Sequence, residues 1–207
     1  LNLIMSSNPR ASGWPLWLDS RGFPNESERP QVINDGWEVF FCGQLPSFGG
    51  HDPKWHIDFW RIIPKGLFYH GRVHQDDLDF QGEAKVLDFG IVILKVAEAI
   101  LSGLSFGRAL RADQESTSLA LQMKWTGLQD RELTSWTSNR MYARRARSNQ
   151  DQVSSSVVVP LNTPDTTVYQ YAKKSCEPLF RSFNGESFPD SIYEELVLEL
   201  LKWKASG

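Results

Sequence analysis

Residues 55–77 bring together side chains whose types could do chemistry. The segment contains three of the four histidines and three aspartates, which are His56, His70, His74, Asp58, Asp76 and Asp77. Imidazole and carboxylate groups are ligands for zinc and iron, so His70, His74 and Asp76 form a candidate metal site. The favoured alternative is a strand end with solvated polar side chains, because His70 and His74 stand about 13 Å apart along extended chain.

A second arrangement could do acid–base chemistry. His56 and Asp58 fall on the same face of a predicted strand, where a carboxylate can orient an imidazole as a general base. No serine or cysteine lies in a recognisable nucleophile motif, and Cys42 is typical of a small core residue. The enzyme hypothesis is therefore a metal-dependent or nucleic-acid-directed hydrolase that uses His56, Asp58, His70 and His74.

A basic cluster offers a different chemistry. It consists of Arg140, Tyr142, Arg144, Arg145 and Arg147. Arginines can hold phosphates while an aromatic ring stacks on a base, so these residues are candidate contacts for an anion or a nucleic acid. A solvated loop is the competing interpretation. The sequence contains neither a P-loop nor a dinucleotide-binding glycine motif, and no cofactor is expected.

The elements that position the first segment are two strands and a turn. Trp55–Ile63 is predicted to be a strand, Pro64–Gly66 a tight turn and Leu67–Val73 the returning strand. One face of the first strand carries Trp55, Ile57, Phe59, Arg61 and Ile63, and the other carries His56, Asp58, Trp60 and Ile62. Because both faces hold large apolar groups, the strand is expected to be central and covered on at least one side.

The remaining pattern predicts an α+β fold, in which an antiparallel sheet packs with a long buried helix and C-terminal helices. The long helix covers 89–110 with Asp88 as its N-cap, and Ala99, Gly103 and Gly107 form a groove for close packing. Its solvent-facing stripe is expected to be Lys95, Glu98, Ser102 and Ser105. Further strands are predicted at 37–42, 118–125, 132–136 and 153–160, the third returning on the second. The last two helices are predicted to begin at Thr163-Pro164, with a break near Pro178, and at Pro189.

The length, composition and charge of the whole chain limit the class of protein that it can be. It has 207 residues, 41% of them hydrophobic, and a net charge of −3, which excludes disorder and binding of nucleic acid over the whole surface. Two cysteines are too few for a disulfide framework and favour a reducing, cytoplasmic location. No apolar run of about 18 residues was found, so no membrane span is expected.

Two regions are expected along the chain. Residues 1–35, rich in Pro, Ser, Asn and Arg, are predicted to be an arm whose Trp14 and Trp17 dock on the body, and residues 36–207 a single α+β domain. The chain begins at Leu1 and not at Met, which is consistent with a fragment or a processed piece, so a missing partner domain stays in consideration.

Eight short segments together resemble one known family. They are Ser12-Gly13-Trp14-Pro15, Asp35-Gly36-Trp37-Glu38, Asp58-Phe59-Trp60-Arg61, Gly66-Leu67-Phe68-Tyr69, Leu87-Asp88-Phe89-Gly90, Val96-Ala97-Glu98-Ala99, Lys124-Trp125-Thr126-Gly127-Leu128 and Pro178-Leu179-Phe180. In this order they resemble the C-terminal region of bacterial proteins whose N-terminal half is a Schlafen/AlbA-type DNA-binding domain. Those proteins are described as transcriptional regulators or ATP-binding proteins. The acidic-and-lysine strand motif of their N-terminal domain is not found here.

The resemblance implies a regulatory, ligand-sensing or assembly module more than an enzyme. The leading hypothesis is a non-enzymatic interaction module with a protein partner or partner domain, which reaches nucleic acid through that domain. Trp14, Trp17, Trp60 and Tyr69 are the candidate ligand or partner contacts. A homo-oligomer and a subunit of a bacterial defence complex are further expectations.

Overall fold

The computed structural model describes residues 26, 29–44, 55–74, 77, 86–110, 113–135 and 145–206. Of residues 43, 44, 55, 56 and 203–206 it describes the backbone alone. The strands are β1 (Gln31–Ile33), β2 (Gly36–Gln44), β3 (Trp55–Ile63), β4 (Leu67–Arg72), β5 (Val86–Asp88), β6 (Ser118–Trp125), β7 (Glu132–Thr134) and β8 (Val153–Pro160). The helices are α1 (Phe89–Ala109), a 3-10 turn (Asp165–Thr167), α2 (Val168–Arg181) and α3 (Asp190–Ser206). The predicted α+β class is confirmed.

A four-stranded antiparallel sheet in the order β1-β2-β3-β4 forms one side of the molecule. The β3–β4 hairpin follows the prediction, since β3 turns through Pro64–Gly66 into β4. Gly66 has a φ of 99°, which favours glycine, and its amide closes the turn on the carbonyl of Ile63 at 3.0 Å. Residues 31–33, within the predicted arm, form the edge strand β1.

Helix α1 lies at the centre of the described structure. Its N-terminus is capped as predicted, because Asp88 Oδ1 accepts a hydrogen bond from the amide of Ile91 at 3.0 Å. Phe106, near the other end, packs with Trp60 and Ile62 of the sheet, while the opposite face of α1 packs on α2, α3 and β6. A helix covered on two sides has little room for a solvent-facing stripe.

The predicted solvent-facing stripe on α1 is therefore wrong. Glu98 and Ser102 are completely buried, and Lys95 and Ser105 are only partly exposed. The reason is that the helix side with these polar residues also carries Ala99 and Phe106, which contact the four-stranded sheet. Sequence spacing located the polar stripe correctly but could not show that a sheet covers it.

Two glycines of α1 allow other elements to approach closely, as the sequence predicts. A Cβ atom on Gly103 would lie 2.5 Å from Leu119 Cδ2 on β6, and one on Gly107 would lie 2.7 Å from Leu161 Cδ1. Both distances are shorter than a van der Waals contact. The helical cost of glycine, about 1 kcal/mol each, is thus offset by closer packing.

The C-terminal half forms the larger core. Strands β6 and β8 pair in antiparallel fashion, and α2 and α3 pack against α1. The strand predicted at 132–136 does not return on β6, since β7 pairs in parallel with β5. Helix α2 continues through Pro178 without the expected break, and the 3-10 turn Asp165–Thr167 precedes it, where Thr163-Pro164 was expected to open the helix.

In the described part of the chain, α1 is long and apolar enough to cross a membrane. Lys95 and Glu98 interrupt its apolar sequence, so the helix is not the uninterrupted apolar run that was looked for, and the absence of a membrane span stays a prediction. Most of the helix is buried inside the structure, as in the core helix of a soluble protein, so the feature is weak evidence for a membrane span.

Candidate functional site

Strand β3 presents two different faces, and each contributes to a candidate site. The inner face is completely buried and carries Asp58, Trp60 and Ile62. The outer face is partly or fully exposed and carries Ile57, Phe59 and Arg61. The strand is thus covered on one side, and the alternation predicted from the sequence is confirmed.

Trp60 belongs to the core and not to a surface. Its side chain packs in a cluster with Val39, Phe41, Ile62 and Phe106 and has no exposed area. Trp60 therefore offers no exposed contact to a ligand or partner, because its position in the alternation of β3 places its side chain on the inner face.

A group of buried charges lies on the inner face where β3 and β4 pair. Asp58 and Arg72 are directly opposite each other. The guanidinium donates to Asp58 Oδ2 from Nη2 at 2.5 Å and from Nε at 3.1 Å. His70 Nε2 lies 2.9 Å from Asp58 Oδ1. One buried carboxylate thus orients two side chains of the neighbouring strand.

Helix α1 adds a second ion pair beside the first. Lys95 Nζ donates to Glu98 Oε2 at 3.1 Å, and Glu98 is completely buried. The charges of Asp58 and Arg72 act on Lys95, which shows that the helix pair and the sheet pair are neighbours. We name the whole set the ionic cluster, with the members Asp58, His70, Arg72, Lys95 and Glu98. Two carboxylates balance two cations when His70 is neutral, and such pairing is what makes buried charge tolerable.

Burial and neighbouring cations keep His70 neutral. Its pKa lies below the usual 6.5, chiefly because burial disfavours the charged ring. The hydrogen bond to Asp58 opposes this effect, and the charges of Arg72 and Lys95 add to it. Burial likewise lowers the pKa of Lys95, against the opposing effect of Glu98. A neutral imidazole that faces a carboxylate donates from Nε2, so Nδ1 carries the free lone pair.

The arrangement can orient a base but disfavours a metal ion. A carboxylate that holds a neutral histidine is the orienting half of a general-base site. Metal binding at the same place is disfavoured, because the carboxylate of Asp58 already binds the guanidinium of Arg72. The carboxylate of Glu98 likewise already binds the ammonium group of Lys95. In the described part of the chain, no group of three or more histidine, cysteine, aspartate or glutamate side chains is placed to hold a metal.

The predicted histidine and aspartate sites are only partly assembled. Asp58 binds His70 and Arg72, where a pair with His56 was expected, and of His56 only the backbone is described. His74 lies beyond the end of β4, and Asp76 lies outside the described residues. The metal site formed by His70, His74 and Asp76 therefore stays a prediction.

Sequence reasoning missed Arg72, Lys95 and Glu98 as partners in this site. For Arg72 a signal was present, since a hairpin that pairs Ile63 with Leu67 also places Asp58 opposite Arg72. Lys95 and Glu98 carried no such signal. Their place beside the sheet depends on how α1 packs, which no local spacing shows.

Protonation of His70 is expected to make folding stability depend on pH. Because its pKa is lower in the folded protein than the 6.5 expected of the unfolded chain, the unfolded state binds more protons between these two values. The contribution of this group to stability is therefore fully present above about pH 6.5 and declines as the pH falls toward the native pKa. Urea unfolding between pH 5 and 8 should show this slope in the wild type.

The His70→Gln variant is the matched comparison for this experiment. Glutamine keeps an N–H donor for Asp58 but does not titrate, and the other three histidines remain. We expect a shallower decline of the unfolding free energy below pH 6.5 in the variant. An identical slope in the two proteins would show that His70 is not the group responsible.

The outer face of the sheet is apolar and exposed. Phe40 on β2, Ile57 on β3, and Leu67 and Tyr69 on β4 are 58%, 42%, 64% and 61% exposed. Phe59 lies between them, directly opposite Phe40 and with its ring centroid 5.6 Å from that of Tyr69. We name these five residues the outer apolar face. Tyr69, a predicted partner contact, is thus placed on an available surface.

Charge on this face is confined to one ion pair. Arg61 donates to Glu38 Oε2 from Nη2 at 2.6 Å and from Nε at 3.0 Å, and its guanidinium carbon lies 5.9 Å from the Phe59 ring centroid. The two residues sit on neighbouring strands in direct register. Among the described residues, the face therefore carries no surplus of either charge.

The other predicted contacts lie largely outside the described residues. These are Trp14, Trp17, Arg140, Tyr142 and Arg144. Arg145 and Arg147 are described and exposed, and Arg147 Nη2 lies 3.2 Å from Glu132 Oε2. One member of the basic cluster is thus already paired with a carboxylate, while the cluster as a nucleic-acid contact stays a prediction.

No family model, curated protein or solved structure matches this chain. The Schlafen/AlbA resemblance consequently stays a prediction. The function must be inferred from the outer apolar face and the ionic cluster themselves.

Proposed function

We propose that this protein is a non-enzymatic interaction module that binds a protein partner through its outer apolar face. The observation that carries the proposal is the continuity of that face across three neighbouring strands, β2, β3 and β4. Large apolar side chains that stand together in water are unfavourable unless a partner covers them.

The size of the face supports this proposal. At roughly 200 Å² per large apolar side chain, Phe40, Ile57, Leu67 and Tyr69 leave on the order of 450 Å² exposed. The largest apolar patch of a monomeric protein is typically about 300–600 Å² and is often functional. The outer apolar face falls inside that range.

The chemistry of the face favours protein over nucleic acid. Stacking platforms for single strands combine aromatic rings with unpaired positive charge that follows the phosphates. Here Ile57 and Leu67 offer no ring, and Arg61 is already paired with Glu38. In this proposal, nucleic-acid binding belongs to a partner domain, and the module serves a regulatory role in transcription or defence. Both points are supported by the sequence resemblance.

Location in the reducing cytoplasm is part of the proposal. Both cysteines are free, and Cys42 is exposed on the outer side of β2, where the sequence predicted a small core residue. An exposed thiol is better tolerated where thiols are kept reduced.

Site-specific photocross-linking tests the proposed function. A photoreactive phenylalanine analogue at position 69 should cross-link to a distinct protein band in cells. The same analogue at position 158 serves as control, because Val158 is 60% exposed on β8, outside the outer apolar face. Cross-links of equal pattern and yield at both positions would contradict a dedicated interface.

A second candidate function rests on the Asp58–His70 hydrogen bond. The 2.9 Å contact with a neutral imidazole suits a general base in a hydrolase. Cleavage of labelled single- and double-stranded oligonucleotides would be compared between wild type and His70→Gln. Cleavage that the variant loses while remaining folded would favour this enzyme over the interaction module, and no cleavage by the wild type would count against it.

A further inference from the structure

We infer that the occupant of the outer apolar face is a second copy of this chain, docked face to face about a twofold axis. The inference rests on the proposed function, because it names the protein partner for the same surface. Two sheets that pack in this way lie about 10 Å apart with their strands rotated by about 30°, and their inward side chains form a shared core.

Charge complementarity supports a second copy. A face with net charge would repel an identical face, but here Glu38 and Arg61 balance each other. They stand in register on neighbouring strands, so a twofold axis close to them brings Arg61 opposite Glu38 of the partner subunit. The second subunit makes the reciprocal contact, as a twofold interface requires.

The four exposed apolar side chains supply most of the area that a specific dimer needs. Four side chains with on the order of 450 Å² exposed would bury about 900 Å² over two copies. Most crystal-packing contacts bury less than about 800 Å², and a specific interface begins near 1,200 Å². Phe59, Arg61 and Glu38, which are also incompletely buried, contribute toward the difference.

Complementary charge reversals give a direct test. Glu38→Arg makes both charges of the pair positive, and Arg61→Glu makes both negative. Each variant alone should repel its own copy and sediment as a monomer of 23.6 kDa. An equimolar mixture should form a dimer, because the positive face of one chain meets the negative face of the other.

The wild type and a control variant complete the design. Sedimentation velocity of the purified full chain, at about 1 to 100 μM and low salt, should show the wild type as a dimer. Glu199→Arg reverses an exposed charge on α3, away from the face, and should also remain a dimer. Circular dichroism verifies that every variant folds, which is expected because exposed ion pairs contribute little to folding stability.

The outcomes separate this inference from the proposed function. A monomeric wild type, or a mixture that stays monomeric, overturns the second copy as occupant. If position 69 still cross-links to a protein of another mass, the interaction module stands with a different partner. If position 69 forms no selective cross-link either, both conclusions fall.

Discussion

Replacing Asp58 with alanine is expected to lower the free energy of unfolding by about 3–5 kcal/mol. The carboxylate accepts from Arg72 and His70 at once and is completely buried. Its removal leaves the guanidinium of Arg72, only 14% exposed, without the carboxylate that balances its charge. Urea titration followed by circular dichroism measures the loss.

A paired replacement distinguishes lost charge balance from lost packing. Asp58→Leu with Arg72→Met removes both charges and fills the space with apolar groups, which is often tolerated where a single removal is not. We expect the double variant to be more stable than Asp58→Ala. A loss below about 1 kcal/mol for Asp58→Ala, or an equal loss in the double variant, would contradict the role assigned to the ionic cluster.

The ionic cluster and the outer apolar face are connected through one hairpin. Strands β3 and β4 supply Asp58, His70 and Arg72 on their inner side and most of the outer apolar face on the other. Lys95 and Glu98 of α1 stand beside the inner charges. The bonds from Asp58 to His70 and Arg72 fix β3 relative to β4, and such a rigid support preorganises a binding surface.

Local periodicity predicted the elements of this fold well. The apolar alternation of Leu119, Leu121 and Met123 predicted β6, and the turn at Pro64–Gly66 predicted the β3–β4 hairpin. Partner choice between distant strands was not predicted. β7 pairs in parallel with β5. Both strands have only three residues, so their pairing depends on the surrounding packing more than on their own sequences.

In the candidate site, too, local pattern predicted some features, while others depend on tertiary packing. The two faces of β3 were predicted from its alternation of side chains, whereas Arg72 was missed although the hairpin register places it opposite Asp58. Which face meets α1 was not determined by either pattern, because both faces carry large apolar groups. The burial of Asp58 and the exposure of Tyr69 therefore became visible only with the tertiary structure.

Trp60→Ala is expected to cost about 3–5 kcal/mol of stability, because it opens a cavity where the sheet meets α1. Trp60 is completely buried among Val39, Phe41, Ile62 and Phe106. Within the described residues its Nε1 has no hydrogen-bond partner, so the cost comes from packing and not from a broken hydrogen bond. Trp60→Phe should cost much less, since it keeps most of the volume and removes the buried donor.

Tyr69→Ala is the matched comparison on the opposite face. Its ring is 61% exposed, so truncation should change the unfolding free energy by less than about 1 kcal/mol while it weakens partner binding. Urea titration and cross-linking through position 40 measure the two effects separately. If Trp60→Ala were as mild as Tyr69→Ala, the inner face could not be a packed core, and the assignment of the two faces of β3 would be reversed.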